Sequence, residues 1–142
     1  MSDIAFEVQT ALVLALTSSS SFTTAINNRL YDNPPDNMDY PYVAIGDCIE
    51  IPFGSHARVG RELNMNFTVY TKPYELGSYS AKNIRGIMDS ILNMKRFTME
   101  STNTYEMVIC KLDSYDQSKN KEVLSIDCRY NIIVNSKVNN TL

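Results

Sequence analysis

The residues that could do chemistry are few and scattered. The chain has one histidine, His56, set in Phe53-Gly54-Ser55-His56-Ala57-Arg58-Val59-Gly60. A serine or cysteine nucleophile needs a base within hydrogen-bond reach and a third group to orient that base. His56 has Ser55 and Arg58 beside it but no local signature of that kind, so it reads as a solvent-exposed or interfacial side chain. Asp32, Asp36 and Asp39 are spaced in a way that invites a cation. An EF-hand loop opening at Asp32 would need glycine at its sixth position and glutamate at its twelfth. Asn37 and Val43 stand there instead, and the three carboxylates read as solvated turn residues. Cys48, Cys110 and Cys128 are odd in number, show no CxxC spacing, and each falls within an apparent strand. They read as buried, reduced thiols behaving as small apolar side chains, not as a disulfide framework or zinc site. Gly54 and Gly60 flank a hairpin and lead into no helix, so no phosphate-cradling loop is present. The expectation is a chain without catalytic residues, metal or cofactor.

Composition is consistent with that. In 142 residues, 44% are hydrophobic and 20% charged, a balance that suits one soluble globular domain spanning 1–142, with residues 136–142 frayed. The formal net charge of −3 leaves no basic footprint for binding phosphates. Nine tyrosines lack the basic partners of a base-stacking surface. The opening MSDIAFEVQTALVLALTSSSS has Asp3 and Glu7 where an export signal would have Lys or Arg. No stretch approaches the roughly 20 apolar residues of a membrane span. The expected location is the cytoplasm during synthesis, with any later one reached by assembly.

The elements follow from periodicity. Ile4, Val8, Ala11, Leu12 and Ala15 form a helical stripe within Asp3 to Leu16, with Asp3 and Glu7 suited to its positive end. Phe6, Val13, Leu14 and Leu16 widen the stripe, which predicts packing on more than one side. A short helix or turn carries Phe22, Ala25 and Ile26. The stretch RLYDNPPDNMDYPYVAIG, residues 29 to 46, then leads into a strand over Tyr42 to Ile51 that is apolar on both parities. Prolines fix φ near −65° and remove donors, so this entry reads as a rigid connection, with Tyr31 and Tyr42 packed at the core edge. Arg61 to Thr71 alternates cleanly, with Leu63, Met65, Phe67 and Val69 on one side. Ser78 to Met94 is an amphipathic helix with Ser78 as its cap. Tyr105 to Leu112 is a strand, Asp113 to Asn120 a polar turn, and Glu122 to Val134 a strand with Leu124, Ile126, Cys128, Tyr130 and Ile132 on one parity.

The predicted architecture is α+β: a four-stranded, mainly antiparallel sheet with helices packed on one face, in the order α-(α)-β-β-α-β-β. Helices cannot cover both faces of such a sheet, so the apolar residues on the second parity predict a neighbour. The long hairpin tip, with Phe53, His56, Arg58 and Arg61, is the expected contact with a neighbouring subunit.

The segment from Gln9 to Gly46 resembles the tail-terminator, or tail-completion, proteins of long-tailed phages and gene transfer particles. The resemblance rests on Arg29-Leu30-Tyr31-Asp32, Pro34 or Pro35, and Tyr40-Pro41-Tyr42-Val43-Ala44-Ile45-Gly46. The helix with Tyr79-Ser80-Ala81-Lys82-Asn83-Ile84 and the last strand occupy corresponding places. That resemblance implies a homo-oligomeric ring, commonly a hexamer, at the head–tail interface of a virion. Such a ring stops growth of the tail tube, docks to the head-completion or connector protein, and lets DNA pass without specific binding or any membrane contact. It breaks no bond and takes no cofactor. Another tail or connector subunit of similar fold is the second reading, and a small ligand-binding domain or enzyme the third.

Overall fold

The computed structural model describes residues 4–32, 34, 39–54, 59–72, 77–99, 105–119 and 123–136. Three helices and five strands run in the order α1 (Ile4–Thr17), α2 (Ser20–Ile26), β1 (Leu30–Tyr31), β2 (Tyr42–Gly54), β3 (Val59–Thr71), α3 (Gly77–Leu92), β4 (Tyr105–Lys119) and β5 (Leu124–Ser136). The sheet order is β1-β2-β3-β5-β4. This overturns the expected four-stranded, mainly antiparallel sheet: the sheet is five-stranded and mixed. The added strand, β1, runs parallel to β2, with Leu30 opposite Val43 and Tyr31 opposite Ala44. Two residues are too short to carry a readable period. What holds them is tertiary, including the Val43 N–H donated to the Arg29 carbonyl at 2.9 Å.

A second correction concerns β4, which continues to Lys119 through the segment expected to be a turn. Bulges between Met107 and Ile109 and between Leu112 and Ser114 break its parity. Its last residues lie at the sheet edge, exposed on both sides, so burial imposes no alternation on them. The helix α3 begins at Gly77, which puts Ser78 inside it and not at its cap. The strand β5 includes Ser136, while residues 137–142, the rest of the expected frayed end, lie outside the described residues.

Side-chain period explains the rest. On β3, Leu63, Met65, Phe67 and Val69 are buried; on β5, Leu124, Ile126, Cys128, Tyr130, Ile132 and Val134 are. They share one core with Val8, Leu12 and Leu16 of α1, Phe22 and Ile26 of α2, and Ala81, Ile84, Met88 and Leu92 of α3. The helices therefore lie on one side of the sheet, with α3 against β3 and β5. Glu7, expected as a partner for the helix dipole, is only 1% exposed. Ser19 caps α2 by accepting from the Phe22 N–H at 3.3 Å. Asn27, at φ 57°, ends it in the left-handed conformation that asparagine tolerates.

The double parity of β2 has a different cause from the one expected. Gly46 and Asp47 together face the single residue Asn66, a bulge between Ile45 and Cys48. Before it, Val43 and Ile45 point into the core. After it the parity reverses, and Ile49 and Ile51 point away from the helices, 60% and 46% exposed. Gly46 suits the bulge because a Cβ there would lie 3.1 Å from Asn66 Cβ.

Candidate interaction surfaces

Of the predicted interface residues, Arg61 lies on β3 and Phe53 on β2, where Phe53 pairs with Gly60. His56 and Arg58 lie outside the described residues. Arg61 is engaged within its own hairpin: its Nε stands 3.2 Å from Glu50 Oε2, and it donates to the Gly60 carbonyl at 2.9 Å. Both side chains are about a quarter to a third exposed, so the pair contributes at most a modest amount to stability. Its geometric effect is to fix the side chain of Arg61 against β2.

The proline- and tyrosine-rich stretch forms a built corner of the sheet. Arg29 donates from Nε to the Pro41 carbonyl and from its terminal nitrogen to the Tyr40 carbonyl, both at 3.1 Å. That guanidinium joins the end of α2 to the start of β2 across the intervening turn. Tyr42 stacks on Tyr70 at 4.9 Å between ring centroids and meets Tyr31 edge-on at 6.4 Å and Tyr40 tilted at 5.5 Å. Burial, followed by the neighbouring Tyr40 and Tyr70, pushes the Tyr42 hydroxyl above its ordinary pKa. Lys72 stands 6.0 Å from the Tyr40 ring. Arg29, Asp39, Tyr40 and Lys72 line an open recess of about 340 Å³ here. The residues that carried the family resemblance thus meet one another, although eight or more positions separate Tyr31 from Tyr40 in sequence.

Cys110 and Cys128 have the environment expected of structural cysteines, whereas Cys48 is only half-buried. Cys110 and Cys128 are buried, and burial first, then Asp89 for Cys110, pushes the Cys110 thiol up to about 12. Burial likewise takes Cys128 to about 12, against a smaller opposing effect of Arg85. Both are protonated at neutral pH and poor nucleophiles. Beside them the Tyr130 hydroxyl donates to Asp89 Oδ1 at 3.3 Å, and burial pushes its pKa upward. Among the described residues no group of three or more His, Cys, Asp or Glu side chains could hold a metal ion, and no helix is long and apolar enough to cross a membrane.

Two surfaces with exposed apolar residues stand out from the core. One is the outer side of α1, where Phe6 and Leu14 are 58% and 63% exposed. The widened apolar stripe of this helix was its signal in the sequence. The other is the open face of the sheet, which among the described residues no helix covers. Ile51, Ile133 and Ile109 share one cross-strand row there, opposite and beside Glu62, with Ile49 adjacent. Periodicity could not find Ile49 and Ile51 as surface residues because the bulge reverses their direction.

The fold is thus a two-layer α+β arrangement whose distinctive features, among the described residues, are surfaces and not a pocket of reactive groups. No family model matches the chain, and no curated protein matches it. A solved structure does. A chain from the virion of a native gene transfer agent particle has a TM-score of 0.82 with it at 16% identity, over 95% of this chain and 99% of that one. At that identity the likeness defines a shared fold, end to end.

Proposed function

We propose that this protein is a non-catalytic structural subunit of a phage-type virion, forming a ring that terminates the tail tube and joins it to the head connector. The observation that carries this reading is the end-to-end likeness in fold to a chain of a gene transfer agent virion. Three further points support it. The motif residues Arg29, Tyr31, Tyr40 and Tyr42 build one structural corner, as a family-defining segment should. Two potential nucleophiles, Cys110 and Cys128, are buried thiols held protonated. A mildly acidic protomer also suits a channel through which DNA slides, since basic linings would bind phosphates.

The partners in this reading are copies of the chain, in a ring of six, the tail tube protein and the head-completion protein. The hairpin tip, with Phe53, His56, Arg58 and Arg61, contacts a ring neighbour or the tube. Light scattering and negative-stain microscopy of the purified protein, alone and with tail tubes, test the proposal. Rings that cap tube ends are expected. A protein that stays monomeric at high micromolar concentration and leaves tube ends bare would overturn it. Another tail or connector subunit of this fold is the second reading, favoured because the likeness is to a chain of a whole particle. Particles assembled without the protein separate the two: a missing terminator gives tubes of uncontrolled length, whereas a missing connector subunit leaves tube length normal.

A further inference from the structure

We propose that the outer end of β4 and the flank of α3 beside it form a docking ledge for an extended, acidic segment of a partner protein. The segment adds to the open edge of β4 and sets its carboxylates on Arg85, Lys82 and Lys119. The ledge lies at the opposite end of the sheet from the hairpin tip, since Lys119 pairs with Leu124 and Leu124 with Thr71. It does not depend on the ring reading.

The anchor is Arg85. Its guanidinium lies over the Tyr115 ring, 4.2 Å from the centroid, and ties α3 to β4. That contact holds the cation in place, yet Arg85 makes no hydrogen bond or ion pair among the described residues. Asp89, one turn further along α3, accepts from the Tyr130 hydroxyl instead. A half-buried guanidinium fixed by an aromatic ring, with its N–H donors unmet, is pre-organised for a carboxylate, which the planar fork can bind with two parallel bonds.

Two lysines extend the site. Tyr115, Gln117 and Lys119 pair with Cys128, Ile126 and Leu124, whose buried side chains mark the helix side of the sheet. All three β4 residues are nevertheless exposed, because α3 lies mainly against β3 and β5. The helix runs antiparallel to β4: Asn93 accepts from the Leu112 N–H at 2.8 Å, and Arg85 lies on Tyr115. Lys82, exposed and one turn before Arg85, therefore comes level with the stretch from Gln117 to Lys119. Neither lysine has an ion pair among the described residues.

The strand edge supplies the other half of the site. β4 is an outermost strand. The chain leaving α3 covers its earlier part: Lys95 and Cys110 exchange backbone bonds at 3.2 and 2.7 Å, and Asn93 takes the Leu112 N–H. Beyond Leu112 no described segment pairs with that edge, so every second residue up to Lys119 turns its N–H and C=O to solvent. An added strand finds there the bonds that Lys95 already makes further back.

Charge decides between a peptide and a nucleic acid. On the other side of the sheet the same stretch carries Asp116 opposite Asp127, with Asp113 at the bulge. These carboxylates repel a polyanion broad enough to reach both sides, and the whole chain carries −3. A strand alternates its side chains, so carboxylates at every second position meet only the basic side. Backbone bonds then supply affinity and the cations specificity, as in other strand additions.

The test is fluorescence anisotropy with a labelled peptide of about seven residues that alternates threonine and glutamate. Saturable binding is expected, weakened roughly tenfold by Arg85→Gln and only partly recovered by Arg85→Lys, which keeps the charge without the fork. Circular dichroism checks that each variant is folded. A Lys82→Glu/Lys119→Glu chain, which leaves the Arg85–Tyr115 contact intact, should lose the acidic peptide several-fold and gain one that alternates threonine and lysine. No saturable binding at millimolar peptide, or equal binding by wild type and all variants, overturns the site. Undiminished binding of peptides N-methylated at alternate residues, in either register, overturns the strand addition. A duplex oligonucleotide that binds through the same residues more tightly than the peptide overturns the choice of partner.

Discussion

A lysine at position 29 would keep a positive charge beside Tyr40 and Pro41 but lose the planar fork that reaches both carbonyls at once. Arg29→Lys is therefore expected to lower stability by roughly 1–2 kcal/mol, read as an earlier urea midpoint, and to disturb the tyrosine corner in near-ultraviolet dichroism. Unchanged stability would show that the clamp is incidental. The cysteines make a pH prediction of definite sign. In the folded chain both thiols titrate near 12, against an ordinary value of 9.0. Their contribution is complete below pH 9. Between 9 and 12 the unfolded chain sheds protons that the folded chain retains, so stability falls as pH rises. The rise at Tyr130 acts in the same direction. A Cys110→Ala/Cys128→Ala chain should start from a lower midpoint, because buried volume is lost, yet decline less across that window. An equal decline in both chains would remove the thiols from the explanation.

At the scale of elements, strand length and helix length differ in a way that matters for function. A strand of 13 residues, such as β2 or β3, spans roughly 43 Å, whereas the 16 residues of α3 span roughly 24 Å. The core cluster takes Val43 and Ile45 from β2 and Leu63 to Val69 from β3, and none of the described residues between Ile49 and Glu62. Deleting residues 55–59 removes the turn while leaving Leu63, Met65, Phe67 and Val69 in the core. The shortened protein should fold with a thermal midpoint near that of the wild type and fail to assemble. Normal rings from it would exclude the hairpin tip as a required contact. The clean alternation of β3 and β5 was legible in the sequence because each buries one face against helices. Strand β1 was not, being only two residues long. The course of β2 was misread because one bulge exchanges its faces halfway along.

For the whole molecule, the relevant quantity is the surface left over once the single core is filled. The helices occupy one side of the sheet, and the opposite side combines a polar ladder with an isoleucine row. A monomer exposing that row and the charge-free side of α1 would carry apolar patches of the kind that mark interaction sites. Association that covers either patch would remove apolar surface from water. Stability of the assembled form should then exceed that of the isolated protomer in a concentration-dependent way, since association favours the folded state by mass action.

By itself the sequence determined the places of α1, α3 and the four long strands, left α2 open as a short helix or turn, and supplied the residues of the segment from Arg29 to Gly46 that pointed to a tail-terminator resemblance. Periodicity and composition carry that information because they report burial along each element separately. The parallel pairing of β1, the bulge that turns Ile49 and Ile51 outward, and the meeting of Arg29 with Tyr40 and Pro41 were decided only in the tertiary structure. Each depends on which segments lie side by side, and contacts between distant segments leave no period along the chain.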